Sequence, residues 1–142
     1  DRYVDFVKHV GVVPAINQVE AHVFNQQKFA RKWLNKYGTQ IEAWSPFAEG
    51  KHEFFTNTAL TKIGQHYGKT AAQVALRFLI QLGIVVIPKS VHPTRMAQNL
   101  GIWDFELSSA DMITIQALDE ERTVFDDHRD PKFVERINGL KF

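Results

Sequence analysis

With 142 residues, 44% of them hydrophobic and 23% charged, the chain has the composition of one ordinary globular domain with a real core, which excludes a disordered segment. Seventeen Lys and Arg against sixteen Asp and Glu leave a net charge of +1, so no general field draws in nucleic acid or anionic membrane and any basic site is local. Cysteine is absent, which excludes disulfides, thiolate metal sites and a cysteine nucleophile, and the cytoplasm is the expected compartment.

The opening stretch DRYVDFVKHV is charged throughout, lacks a signal core and has no initiator Met, so it reads as the interior of a larger protein. Tyr3, Phe6, Val7 and Val10 recur on one helical face, and Gly11 is placed to end that helix. Pro14 blocks continuation, and Ala15 to Val19 is a short predicted strand. Asn25 is the predicted cap of a helix with Phe29, Trp33, Leu34 and Tyr37 inward and Gly38 as its stop. Gln40 to Trp44 is the second strand. SPFAEGKHEFF, which follows it, has no period and carries Pro46 and Gly50, the mark of a long surface loop.

Leu60, Ile63, Gly64 and Tyr67 mark a short helix ended by Gly68. Thr70 and Gln73 form a T-x-x-Q capping box for the next helix, with Val74, Ala75, Phe78, Leu79 and Leu82 inward and Gly83 as its stop. The apolar stretch from Val74 to Ile87 is broken by Arg77, Gln81 and Gly83, well short of the roughly 20 residues of a membrane span. Ile84 to Ile87, four β-branched residues before Pro88, predicts a parallel strand buried on both faces. Pro93 suits the first position of a helix to about Leu100. Ser108 and Asp111 resemble a second capping box, with Met112, Ile115 and Leu118 inward. The charged tail from Asp119 to Phe142 reads as a loop and short helix anchored by Phe125, Phe133, Val134, Ile137 and Leu140.

Strands alternating with helices predict an α/β fold with a parallel sheet, but three strands leave two open edges, whereas a closed eight-stranded α/β barrel takes about 250 residues. The arithmetic favours part of a barrel, with 1–142 as one partial domain. Phosphate motifs of the G-x-G-x-x-G and G-x-x-x-x-G-K-[ST] types are absent, the histidines at 9, 22, 52, 66, 92 and 128 have no metal-ligand spacing, and Ser45 and Ser90 lack a nucleophile's flanks. No metal site is expected.

Polar residues gather instead where each strand ends, the ligand face of parallel α/β folds. Asn17 and Gln18 either satisfy neighbouring backbone groups or, in the case of Gln18, pair with a ligand's carboxamide through donor and acceptor together. Trp44 is either core or a flat platform at a strand mouth. In IPKSVHPTRMAQN, Lys89, Ser90 and Arg95 beside a helix start can converge on one phosphate, with Gln98 and Asn99 a turn further on to read an attached base. The alternative is a solvated basic turn.

Asn17-Gln18-Val19-Glu20-Ala21-His22, Ala43 to Phe47, Lys69 to Arg77, Ile87 to Val91 with Arg95 to Asn99, and Leu107-Ser108 through Asp119 together resemble the aldo-keto reductase family, nearest its bacterial diketogluconate-reductase-like branch. The resemblance implies the C-terminal part of a parallel (β/α)8 TIM barrel: strands six to eight with their helices and the tail bordering the substrate pocket. It implies NADP as cofactor and a small-molecule carbonyl substrate. Gln18, with Asn17 beside it, would meet the nicotinamide carboxamide, and Trp44 would stack on the ring. Ser45, Phe47 and Glu49 would line the pyrophosphate. Lys89, Ser90 and Arg95 would hold the 2′-phosphate, with Val91 as a further cofactor-binding residue and Arg95 also able to lie over the adenine, and Gln98 and Asn99 would meet the base. Val23 and Gln98 depart from the family's usual Pro and Glu. Its catalytic Asp, Tyr, Lys and His have no counterpart here, so the chain alone is expected to be inactive. The expected partner is the missing half of the barrel; the competing readings are a non-catalytic half-barrel that binds nucleotide or self-associates, and a general α/β module for another phosphorylated ligand.

Overall fold

The computed structural model describes residues 2–126 and 130–140; His128 of the histidine survey lies outside them. Among the described residues, three parallel strands, β1 (Ile16–Glu20), β2 (Gln40–Trp44) and β3 (Val85–Val86), form one sheet in the order β1-β2-β3. The α-helices among the described residues are α1 (Arg2–Val10), α2 (Lys28–Tyr37), α3 (Thr58–Tyr67), α4 (Ala71–Gln81), α5 (Pro93–Leu100), α6 (Ser109–Gln116) and α7 (Pro131–Asn138). No helix among the described residues is long and apolar enough to cross a membrane.

The register Asn17↔Ile41, Gln18↔Glu42 and Glu42↔Val85 divides the sheet into two faces, because side chains alternate along a strand. Ile41 and Ala43 face the helices and are buried. Gln18, Glu42 and Val85 share the other face, where Gln18 Nε2 donates to Glu42 Oε1 at 2.5 Å. Val85 and, two residues on, Ile87 remain 41% and 46% exposed there. The predicted strand over 84–87 is thus reduced to two residues and is not buried on both faces. Only Ile84 is fully enclosed; β3 is an edge strand, and the described residues set no layer against the face carrying Val85.

The firmest local signal is realised at α4. Thr70 Oγ1 accepts the Gln73 N–H at 3.2 Å, and Gln73 Oε1 accepts the Thr70 N–H at 3.0 Å. Behind this box Val74, Ala75, Leu76, Phe78 and Leu79 are all fully buried, so α4 is the core helix of the domain. The second capping box also forms, with Asp111 N–H on Ser108 Oγ at 3.2 Å, although Ile115 alone is buried on α6.

Other expectations give way to tertiary context. Asn25 does not cap α2; it pairs its backbone with His22, and the residue before the helix is Gln27 in a left-handed conformation without a side-chain cap. Phe29 is 71% exposed rather than inward. On α1, Phe6 and Val10 are exposed, while Val7 is buried and Tyr3 reaches Thr39 Oγ1 at 2.5 Å. Val134, Ile137 and Leu140 of the tail are exposed and do not serve as anchors. The segment after β2 is the expected long loop, ordered by two short 3-10 turns, Ala48–Gly50 and Phe54–Thr56, that buried Ala48 and Phe54 pin.

Candidate functional site

Beyond β3 the chain turns through Lys89, Ser90 and Val91 into α5, whose N-terminus carries Pro93. A cleft of about 520 Å³ opens here, and Lys89, Ser90, Val91, Arg95, Gln98 and Asn99 line it together with Phe47 from the segment after β2. Seven of the twelve candidate residues therefore share one hollow. Lys89 and Arg95 are exposed and make no hydrogen bond or ion pair among the described residues. Ser90 Oγ is used locally, accepting the His92 N–H at 3.1 Å, so it shapes the turn. Two unpaired cations at one cleft attract an anion, and the opening of α5 adds partial positive charge from its unbonded N–H groups.

The sequence reading missed the opposite wall. Thr70, Ala71 and Ala72 also line the cleft, so α4 opens onto it as well. The capping box identified that helix start but gave no sign that it faced α5. Phe55 and His92 are likewise unforeseen lining residues; Phe55 is half exposed, a placement that loop composition does not encode.

The remaining candidates lie elsewhere. Ser45, at the mouth of β2, has a left-handed backbone with φ of 51° and a buried Oγ without a partner among the described residues. Glu49, with φ of 52°, is exposed and does not border the cleft. Gln18 and Trp44 line a second hollow of about 610 Å³ beside Glu20 and tail residues Glu121 to Thr123. Gln18 keeps its Oε1 and one amide hydrogen available beyond the bond to Glu42. Asn17 is separated from Gln18: it borders a third hollow between α1 and α2, on the helix-covered face, because neighbouring strand residues point to opposite sides.

A buried polar cluster closes the second hollow. Glu20, at the end of β1, is 8% exposed, and its Oε1 accepts from His22 Nε2 at 2.9 Å and from the Val124 N–H at 3.0 Å. Its Oε2 accepts from Thr123 Oγ1. His22 Nδ1 accepts the Phe24 N–H at 3.2 Å, which leaves the ring proton on Nε2, facing Glu20. Burial alone pushes the Glu20 carboxyl up, but the bonds from His22, Thr123 and Val124 outweigh it and bring it from the ordinary 4.5 down to about 2. A carboxyl lowered on folding stabilises the protein fully above its unfolded pKa, and this contribution is lost as the pH falls through the folded value. Thermal melts should therefore show a loss approaching about 3 kcal/mol between pH 4.5 and 2, which Glu20→Gln largely removes. A wild-type profile parallel to that of the variant would refute the assignment.

A three-stranded parallel sheet covered by helices on one face, with a cleft lined by Lys89 and Arg95 beyond the carboxyl end of β3, defines an α/β protein. The profile of the Aldo/keto reductase family matches residues 2–120, and the chain belongs to that family. Methylglyoxal reductase DkgA of Escherichia coli strain K12 is 40% identical over 114 residues, which cover 80% of this chain and 42% of that protein. An aldo-keto reductase of Mycolicibacterium smegmatis is 42% identical over 123 residues, 87% of this chain and 44% of its own length. Among solved structures, an NADPH complex of a Gox0644 mutant superposes with a TM-score of 0.82 at 32% identity, covering 99% of this chain and 48% of that one. The chain thus spans less than half the length of these relatives.

Proposed function

We propose that this chain is the cofactor-holding portion of an NADP-dependent carbonyl reductase, an oxidoreductase that converts small aldehydes or ketones to alcohols. In this reading β1, β2 and β3 are strands six to eight of a (β/α)8 barrel and residues 1–142 are one partial domain. The observation that carries it is the gathering of Lys89, Ser90, Arg95, Gln98 and Asn99 on one cleft whose two cations have no partner among the described residues.

The donor set fits the cofactor. Lys89 and Arg95 would hold the 2′-phosphate, and the starts of α4 and α5 would favour negative charge between them. Phe47, which lines the cleft, and Ser45 at the mouth of β2 would border the pyrophosphate. Gln18 and Trp44 would orient the nicotinamide end, by amide pairing and by ring contact. When bound, that group supplies the hydride for the carbonyl carbon.

No residue of this chain is assigned the proton. Tyr3 is bonded to Thr39, the Tyr37 ring packs on Tyr3 with centroids 5.7 Å apart, and Tyr67 donates to Asp111 at 2.6 Å. All three tyrosines serve the fold, so the general acid and its partners are expected from the other half of the barrel, and the chain alone is expected to be inactive. Methylglyoxal, from the name of one relative, indicates the size of carbonyl to assay. The cysteine-free composition suits the cytoplasm.

A second reading rests on the open margins of the sheet. Ile16, Val85 and Ile87 are 55%, 41% and 46% exposed, a surface that either the preceding strands or a second copy of this chain would cover. Calorimetric titration separates the cofactor proposal from a generic module. NADPH should bind more tightly than NADH, with a preference that fades as salt is raised; equal affinities, or no binding of either, would count against it.

A further inference from the structure

Glu20 reaches well beyond the strand that carries it. Thr123 Oγ1 donates to Glu20 Oε2 and in turn accepts the Phe125 N–H at 3.0 Å. The Val124 N–H donates to Glu20 Oε1 at 3.0 Å. From the other side, Lys51 Nζ donates to the Val124 carbonyl at 3.0 Å and lies 4.1 Å from the centroid of the Phe125 ring. Three successive tail residues are thus clipped between the end of β1 and the turn after β2. Phe125, so held, packs against Trp44 with ring centroids 5.0 Å apart and planes inclined at 48°.

The arrangement is directional. Residues 117–126 contain no helix or strand; backbone bonds hold their first part, with the Glu120 N–H on the Phe24 carbonyl at 2.8 Å, and from Thr123 to Phe125 the order comes from side-chain bonds and ring contacts, which must offset the entropy of holding the segment still. A buried carboxylate receiving three donors is costly to disturb, since breaking any one leaves an unsatisfied group in a closed site. Trp44 is the register partner of Glu20 across the β1–β2 pair. The clip therefore closes a loop: Glu20 to Thr123 and Val124, on to Phe125, and back to the indole beside the strand where it began.

We propose that Glu20 is a positioning residue for the Trp44 platform, acting through Thr123, Val124 and Phe125, so that the tail sets the orientation of the indole from the side that Phe125 contacts. The functional meaning of that orientation rests on the reading that Trp44 meets the nicotinamide; the clip itself does not. Thr123→Val removes the hydroxyl and keeps the shape, Thr123→Ser keeps the hydroxyl, and Glu20→Gln replaces one acceptor oxygen by a donor aimed at donors.

The test follows amide exchange at Val124 and Phe125 by NMR, together with the emission of Trp44 in a background where Trp33 and Trp103 are replaced by Phe. Thr123→Val and Glu20→Gln should each speed exchange at these amides about tenfold or more and shift the Trp44 emission, while Thr123→Ser stays close to wild type. The double variant should be no worse than its more affected parent, because both changes open the same clip. Unchanged exchange in both Thr123→Val and Glu20→Gln overturns the proposal, as does Thr123→Ser behaving like Thr123→Val. Addition of NADPH separates the two readings. A wild-type Trp44 signal indifferent to the nucleotide, with the exchange pattern intact, overturns the cofactor reading and supports the clip; a responsive signal with the exchange pattern absent does the reverse.

Discussion

Joint replacement of Lys89 and Arg95 by Ala is expected to lower the affinity for NADPH by at least about a hundredfold while weakening NADH much less. Each side chain can give charge-assisted hydrogen bonds to a phosphate, and neither has a partner among the described residues to lose in doing so. The two losses should be less than additive, because both cations address one dianionic group and share its neutralisation. Arg95 offers a planar fork and Lys89 a point charge. Arg95→Lys should therefore retain the charge yet recover only part of the affinity, and Arg95→Ala should also cost NADH something if the guanidinium lies over the adenine. Titration of both nucleotides at fixed ionic strength reads all of these. Equal losses for NADPH and NADH in Lys89→Ala would remove the 2′-phosphate from this cleft.

Local chemistry was legible from sequence where two side chains one helical turn apart specify each other. The boxes at Thr70 and Ser108 each involve residues three apart, and both form. The run after β3 could be read because Lys89 and Arg95 flank a helix start marked by Pro93, so their meeting on one cleft needs only short-range geometry. Burial was harder to read. Ile84 to Ile87 has the composition of a doubly covered strand, but composition records what a residue tolerates, and exposure at Val85 and Ile87 depends on what lies against the sheet. Asn25 lost its capping role to a backbone pair with His22, an interaction that no cap preference encodes. The Glu20–Thr123 contact joins positions 103 residues apart. Its one local trace is a Glu and a His two apart at the end of a strand, which places both on one face.

The segment after β2 leads to the other large expected effect. Ser45, Ala48, Glu49, His52 and Glu53 all have φ between 50° and 55°, a left-handed conformation costing non-glycine residues roughly 1 kcal/mol or more each. Such a path persists only where packing overrides it. Phe54 does so: it is fully buried and meets Phe24, Phe47 and Phe55 at centroid distances of 5.8, 5.9 and 5.3 Å. Phe54→Ala should cost about 3–5 kcal/mol from lost burial and the residual cavity, a fall in melting temperature on the order of 10 °C. The same change should release the strained path and, with it, Phe47 and Phe55, which form one wall of the cleft. NADPH affinity should then fall at temperatures where the variant is still folded. Phe55→Ala supplies the contrast: half exposed at 52%, it should cost much less stability while still reducing affinity. Melts and titrations on the two variants separate the roles, and a destabilised Phe54→Ala that binds NADPH as wild type does would show that the wall of the cleft does not depend on this buried ring.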